Sequence, residues 1–196
     1  TAHIRLLSED ISCAWIVYVE ADGLSFSEWL NLTSFKYDRD LSGLINLDSW
    51  MEFDHGRLQK VTSDVSIVDL KNSADVNSPI GISSRLEFSR NDFGWLAVAD
   101  KFQFESEGRY TPESRIEIQA YESNSNDNLT LDSSISYIAL EDLRILSGWL
   151  RVDFLENILK YNPNGIIRDA SLNISNIDDI SSRFDFSTRL SDVNIE

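Results

Sequence analysis

The sequence predicts a mainly β fold, an extended antiparallel meander curled into a trough, with one or two short helical insertions. Three observations carry this. Apolar and polar residues alternate with a period of two, as in Ile82 to Phe88, where Ile82, Leu86 and Phe88 share one face and Ser83, Arg85 and Glu87 the other. Such runs follow one another at roughly 10–15 residues, parted by short polar turns. Only three Pro and eight Gly occur in 196 residues, which leaves little room for long flexible linkers.

Taken in order, the first strand is expected from Ala2 to Leu7 and the second from Cys13 to Glu20. Ser25 to Asn31 reads as a short helical turn. Strands then follow at Gly43 to Phe53, Arg57 to Ser63, Val65 to Leu70 and Ile82 to Phe88. The stretch Asp54-His55-Gly56 is a hairpin turn, Asn77-Ser78-Pro79 and Arg90-Asn91-Asp92 are further turns, and Ser123 to Asn128 is a polar loop. Later strands are Trp95 to Phe104, Arg115 to Ala120, Leu129 to Tyr137, Ile166 to Ser175 and Arg183 to Leu190. Between them, Leu143, Leu146, Leu150, Phe154, Ile158 and Tyr161 recur at helical spacing, so a helical insertion is expected over about 140–161. A strand running into a Leu-containing turn and a Trp-Leu helix occurs twice, at Val19 to Leu30 and Ile138 to Leu150, and hints at a large repeated unit.

Composition narrows the function. The formal charge of −16, from 33 acidic against 17 basic residues, disfavours nucleic acid, whose phosphates require Lys and Arg. It also disfavours docking on an anionic membrane surface. No run reaches the ~18–20 apolar residues of a membrane-spanning helix. The chain opens and closes in strand-like runs, so it is expected to be a single β segment, residues 1–196, of a longer protein. Cys13, alone among apolar neighbours, reads as a buried, inert thiol.

Chemistry-bearing groups do not converge. His3 and His55 stand far apart in sequence, and one Cys with two distant His gives no zinc spacing. No Gly-rich phosphate loop, nucleophile elbow or metalloprotease motif is present. Asn124, Asn126, Asp127, Asn128 and Asp132 imitate a calcium loop, but Leu129 stands at the turn-Gly position and Ile135 at that of the closing Glu. Asp178-Asp179 and other paired carboxylates are expected by chance among 33 acids. The sequence is therefore read as a non-enzyme, with no catalytic residues, no cofactor and no metal.

What remains is an apolar sheet face. About ten strands at ~4.8 Å spacing make a sheet almost 50 Å wide, and strands of eight to ten residues run ~27–34 Å. About 20 helical residues are too few to cover that area. The sheet must fold on itself, close, or leave apolar surface for a partner. The alternation nominates Ile82, Leu86, Phe88, Ile116, Ile118, Leu131, Ile135, Leu172, Ile174, Phe184 and Phe186 as its lining.

A resemblance sharpens this. In the C-terminal third, a strand ends in an Asp142-Leu143 turn, and helices follow. Then comes a strand patterned Pro163, Gly165, Ile167, Asp169, Leu172, Ile174, and a last one patterned Phe184, Phe186, Leu190, Asp192, Val193, Ile195. That order, with residues 19–32 and 40–70 as an earlier strand, turn and strand pair, resembles the YhdP-type proteins of the AsmA-like superfamily of Gram-negative bacteria. The resemblance covers most of the chain and rests on turn and strand patterns without a catalytic signature.

It implies a periplasmic segment of an inner-membrane-anchored protein, part of a lipid-transport conduit between inner and outer membranes that supports outer-membrane integrity. Its expected partners are phospholipid acyl chains and the remainder of the same long chain. The helices at about 140–161 would cap one edge or plug the trough. Two other readings stand beside it: a closed β-sandwich or barrel serving as an interaction module of a surface protein, and, more distantly, a carbohydrate hydrolase.

Overall fold

A computed structural model describes residues 2–7, 14–32, 41–72, 79–123, 128–143, 164–175 and 183–194. It divides into two compact units, Thr1–Thr111 and Pro112–Glu196.

The first unit holds β1 (Ala2–Leu7), β2 (Ala14–Ser25), α1 (Phe26–Leu32), β3 (Leu41–Asp54), β4 (Arg57–Asn72), β5 (Ile80–Asn91), β6 (Gly94–Ser106) and the two-residue β7 (Arg109–Tyr110). Each strand pairs antiparallel with its sequence neighbour. Short turns make this the economical topology. Between β3 and β4 the loop is His55-Gly56, with φ of 48° and 77°. Two consecutive left-handed residues give the turn whose twist matches its flanking strands. Glu107 and Gly108, at 54° and 74°, repeat the device between β6 and β7.

The second unit holds β8 (Ser114–Ser123), β9 (Asn128–Ala139), β10 (Asn164–Ser175) and β11 (Arg183–Asn194), again paired antiparallel in order. The expected fold class is thus the observed one, a mainly antiparallel β meander. Among the described residues no pairing joins β1 to β6 or β8 to β11, so neither unit's sheet closes on itself.

Two strand expectations are corrected. Arg57 to Ser63 and Val65 to Leu70 form one 16-residue strand, β4, rather than two. Ser63 and Asp64 resemble a turn signal, yet they pair in unbroken register with Ser49 and Asp48 of β3, one side chain buried and the other exposed. A short polar pair inside a strand is only two successive steps of the pleat. The two-residue β7 was not anticipated. Of the helical elements, Ser25 to Asn31 corresponds to α1, and residues 140–143 start a helix after β9. The rest of the expected insertion at 140–161 lies outside the described residues.

The strands are bent by bulges. Register shifts fall at Asp22-Gly23 in β2, near Asp69 in β4, at Lys101 in β6 and near Asp169 in β10. Asp69, Lys101, Asp169 and Asp192 all have φ between 49° and 55°. An extra residue on one strand kinks it and increases its twist. Beside the Asp69 bulge, a Cβ on Gly43 would lie 3.1 Å from Leu70 Cα and from the Val68 carbonyl oxygen, so the close approach of β3 and β4 needs glycine there. Four of the best-buried apolar side chains of the first unit, Ile45, Leu70, Ile80 and Phe104, gather at this bulged end. Each stabilises by roughly 1.5–3 kcal/mol when fully buried.

Candidate functional site

Residues directly opposed in an antiparallel pair share a face, so the registers sort the side chains. In the first unit one file runs Val17, Met51, Val61, Phe88, Ala97, and the next runs Val19, Ser49, Ser63, Leu86, Ala99. A third joins Ile45, Ile67, Ile82 and Phe104. Together they make one apolar face. Towards the hairpin turns it ends in aromatic pairs: Trp15 stacks on Phe53 with ring centres 4.2 Å apart, and Phe88 on Trp95 at 6.4 Å.

The opposite face is charged. Glu20, Asp48, Asp64, Arg85 and Asp100 form one file across it. Arg85 reaches Asp64 at 3.8 Å and Glu87 at 3.5 Å, and Lys60 reaches Glu52 at 3.7 Å. These pairs are exposed and individually weak. The Tyr18 hydroxyl donates to Asp48 at 3.1 Å; partial desolvation and that hydrogen bond hold the phenol above the usual tyrosine range. Some apolar groups, among them Ile16, Leu44, Trp50 and Val68, are also exposed on this face.

The second unit repeats the division. Ile118, Ser133, Leu172 and Phe186 are opposed across its four strands, and Ile116, Ile135 and Ala170 lie in the next file. Ala120, Leu131 and Ile174 make a third, with Phe184 in register opposite Ile174. Its polar face carries Gln119, Asp132, Asn173 and Asp185 in one file. Asp132 accepts from the Tyr121 hydroxyl at 3.0 Å and from the Asn173 amide. The first of these bonds raises the Tyr121 phenol above its ordinary range.

The nominated lining residues therefore fall on one face within each unit: Ile82, Leu86 and Phe88 in the first, and Ile116, Ile118, Leu131, Ile135, Leu172, Ile174 and Phe186 in the second. The side chain of Phe184 lies outside the described residues. Alternation missed Met51, Val61, Val65 and Ile67, which belong to the same face. The signal for Val61, Val65 and Ile67 was present in β4 but was hidden when that strand was read as two.

The apolar faces are covered only in part: Val17, Ser49, Ser63 and Ala120 are buried, while larger side chains of the same faces stand open. Leu86 is 40%, Ile118 37% and Phe186 61% exposed, and most of their neighbours are only half-buried. Fully packed cores close over such side chains. Two recesses, of about 530 Å³ near Asp69, Glu105 and Tyr110 and about 280 Å³ near Glu117, Asp132 and Asp185, are lined chiefly by residues of the polar faces. Among the described residues no three His, Cys, Asp or Glu gather closely enough to hold a metal ion. Asn124, Asn126 and Asp127 of the calcium-like loop lie outside those residues. No helix among them is long and apolar enough to cross a membrane.

Comparison with protein families gives a match to the YhdP protein family over residues 13–196. The chain belongs to that family. No curated protein and no solved structure matches it.

Proposed function

We propose that the chain is a periplasmic section of a lipid conduit between the inner and outer membranes, holding acyl chains on the apolar sheet faces and performing no covalent chemistry. The observation that carries this reading is the in-register apolar face left partly open in each unit, with Leu86, Ile118 and Phe186 all exposed. Membership of the YhdP family, associated with phospholipid transport and outer-membrane integrity, supports it. In this reading the rest of a longer, inner-membrane-anchored chain continues the conduit.

Physical chemistry makes the task feasible. Each methylene moved from water onto such a surface gains roughly 0.8 kcal/mol when fully buried, and less on an open face. An open sheet can therefore hold an acyl chain while leaving the polar headgroup in water. The gain is also spread over many weak contacts, which permits sliding.

The test is a photo-crosslinking residue at Ile118 or Leu86, with Glu117 on the polar face as control, placed in the full-length protein in cells. Phospholipid captured at the first two positions and not at the control is the expected result. No lipid captured at either apolar position would overturn the reading.

A further inference from the structure

The β3–β4 and β5–β6 turns lie at the same end of the first unit's strands, where the apolar face finishes in the Trp15–Phe53 and Phe88–Trp95 pairs. At the tip of the second turn stands Phe93, 66% exposed. Such tips favour Gly, Asn, Asp, Ser and Pro, each for a backbone or hydrogen-bonding reason that Phe does not supply. Asn91 holds the turn instead, its side-chain oxygen accepting the Phe93 N–H at 2.9 Å. The Phe93 ring therefore has no part in forming the turn, and most of it is left to solvent.

The charge around this end also differs from that of the chain. The whole carries −16, yet the stretches 52–60 and 88–95 set Glu52, Asp54 and Asp92 against Arg57, Lys60 and Arg90, three acids against three bases. Repulsion from a lipid surface is locally absent, and no net attraction to anionic headgroups replaces it. Rings beside long cationic side chains suit a lipid–water boundary, where the rings enter and the cations stay with the headgroups. A protruding ring needs a matching pocket on a protein partner but none on a lipid surface. Tyr110 is equally exposed at the other end of β6, but its hydroxyl bonds Glu105 and its turn carries Glu107.

We infer that the β5–β6 turn, led by Phe93 and backed by Trp95 and Phe88, docks on a lipid surface whose headgroups carry no net charge. This rests on the conduit reading for its purpose and adds to it a point where the sheet meets a bilayer. With Phe93 among the acyl chains, Trp95 and Phe88 stand at the boundary. An acyl chain leaving the bilayer then passes from these rings to Leu86, two residues further along the same face of β5.

The experiment sediments the purified chain with phosphatidylcholine vesicles and, separately, with phosphatidylglycerol vesicles. Phosphatidylcholine brominated in its acyl chains then quenches those tryptophans that reach the hydrocarbon. The parent chain should bind phosphatidylcholine and be quenched. Phe93→Ser should weaken that binding by about tenfold, because the ring's transfer out of water supplies much of the gain. Phe93→Trp should retain it. Tyr110→Ser, which removes an equally exposed ring at the other end of β6, should leave it unchanged. Circular dichroism of each variant, and sedimentation of the chain without lipid, accompany these measurements.

Absence of binding to phosphatidylcholine, or equal losses with Phe93→Ser and Tyr110→Ser, would overturn the inference. Binding to phosphatidylglycerol alone would make the contact electrostatic and overturn it too. If the lipid-free chain self-associates and Phe93→Ser makes it a monomer, the turn belongs to a second copy, which also overturns it. In each of these cases lipid capture at Leu86 in cells would leave the conduit standing. Vesicle binding through Phe93 without such capture would remove the conduit while supporting the docking.

Discussion

Ser49 of β3 and Ser63 of β4 face each other in register within the apolar face, their hydroxyls 2.7 Å apart and their residues only 2% and 5% exposed. The pair satisfies itself, so two polar side chains sit in an apolar file without a partner elsewhere. Removing one hydroxyl leaves the other buried and unpaired, at a cost of about 1–3 kcal/mol, whereas removing both is close to neutral. Ser49→Ala and Ser63→Ala should each lower the urea midpoint, and the double variant should recover most of the loss. Additive losses would show that the bond contributes nothing.

The His55-Gly56 turn sets the register of β3 against β4, because both residues adopt positive φ. Asn is better suited than His to the first position of this turn type. His55→Asn is expected to raise stability by a few tenths of a kcal/mol. Gly56→Ala should lower it by about 1–2 kcal/mol, since an alanine Cβ opposes the left-handed backbone. Thermal unfolding of the two variants decides it, and a loss with His55→Asn would contradict the turn assignment.

Much of the fold was legible because its signal is local. A strand with one wet face writes its period into the sequence, and β5, β8 and β11 were each read this way. What was not legible depends on the partner strand. Nothing within residues 57–70 says that Ser63-Asp64 continues the strand; only their opposition to Ser49 and Asp48 does. The bulges were half-visible. The Asp in each of the two C-terminal strand patterns, Asp169 and Asp192, proves to be a left-handed residue, with φ of 49° and 55°. In the sequence the pattern marks only a family resemblance; its physical cause is an Asp tolerating the backbone of a bulge. The site followed the same rule: alternation nominates a face, but whether anything covers that face is a three-dimensional fact.

The bulge aspartates yield a test of their own. At Asp69 and Asp169 the left-handed backbone accepts Gly and opposes β-branched residues. Asp69→Gly should change stability little, whereas Asp69→Val should cost about 1–2 kcal/mol. Amide hydrogen exchange should show the loss concentrated around Gly43, Val68 and Leu70, the residues that approach most closely there. A uniform change across the first unit, or tolerance of Val, would argue against strain at the bulge.

Tyr121 offers a readout of the second unit's polar face. Its hydroxyl donates to Asp132, and ionising the phenol would break that bond beside a carboxylate, so its pKa is raised. In the unfolded chain a tyrosine ionises near ~10. The bond's contribution is therefore fully present below that pH and is lost as pH rises through the folded-state pKa. Ultraviolet titration should show Tyr121 ionising late together with Tyr18 and Tyr110, and Asp132→Asn should bring one of these late steps earlier. If Asp132→Asn left the titration unchanged, the hydrogen bond would not be its cause.

Leu86 and Ile80 lie on the same face of β5, yet one is 40% exposed and the other 2%. If the face is a packed core at the bulged end and an open surface towards the hairpins, the same substitution must act differently at the two positions. Ile80→Ala removes buried contacts and should cost about 2–5 kcal/mol, whereas Leu86→Ala should cost under ~1 kcal/mol because much of its surface is already in water. Lipid capture should show the opposite order: Leu86→Glu should preserve folding and abolish crosslinking to lipid at neighbouring positions of the face. Equal destabilisation at both sites would mean that Leu86 is covered in solution, and the open surface on which lipid binding depends would not exist.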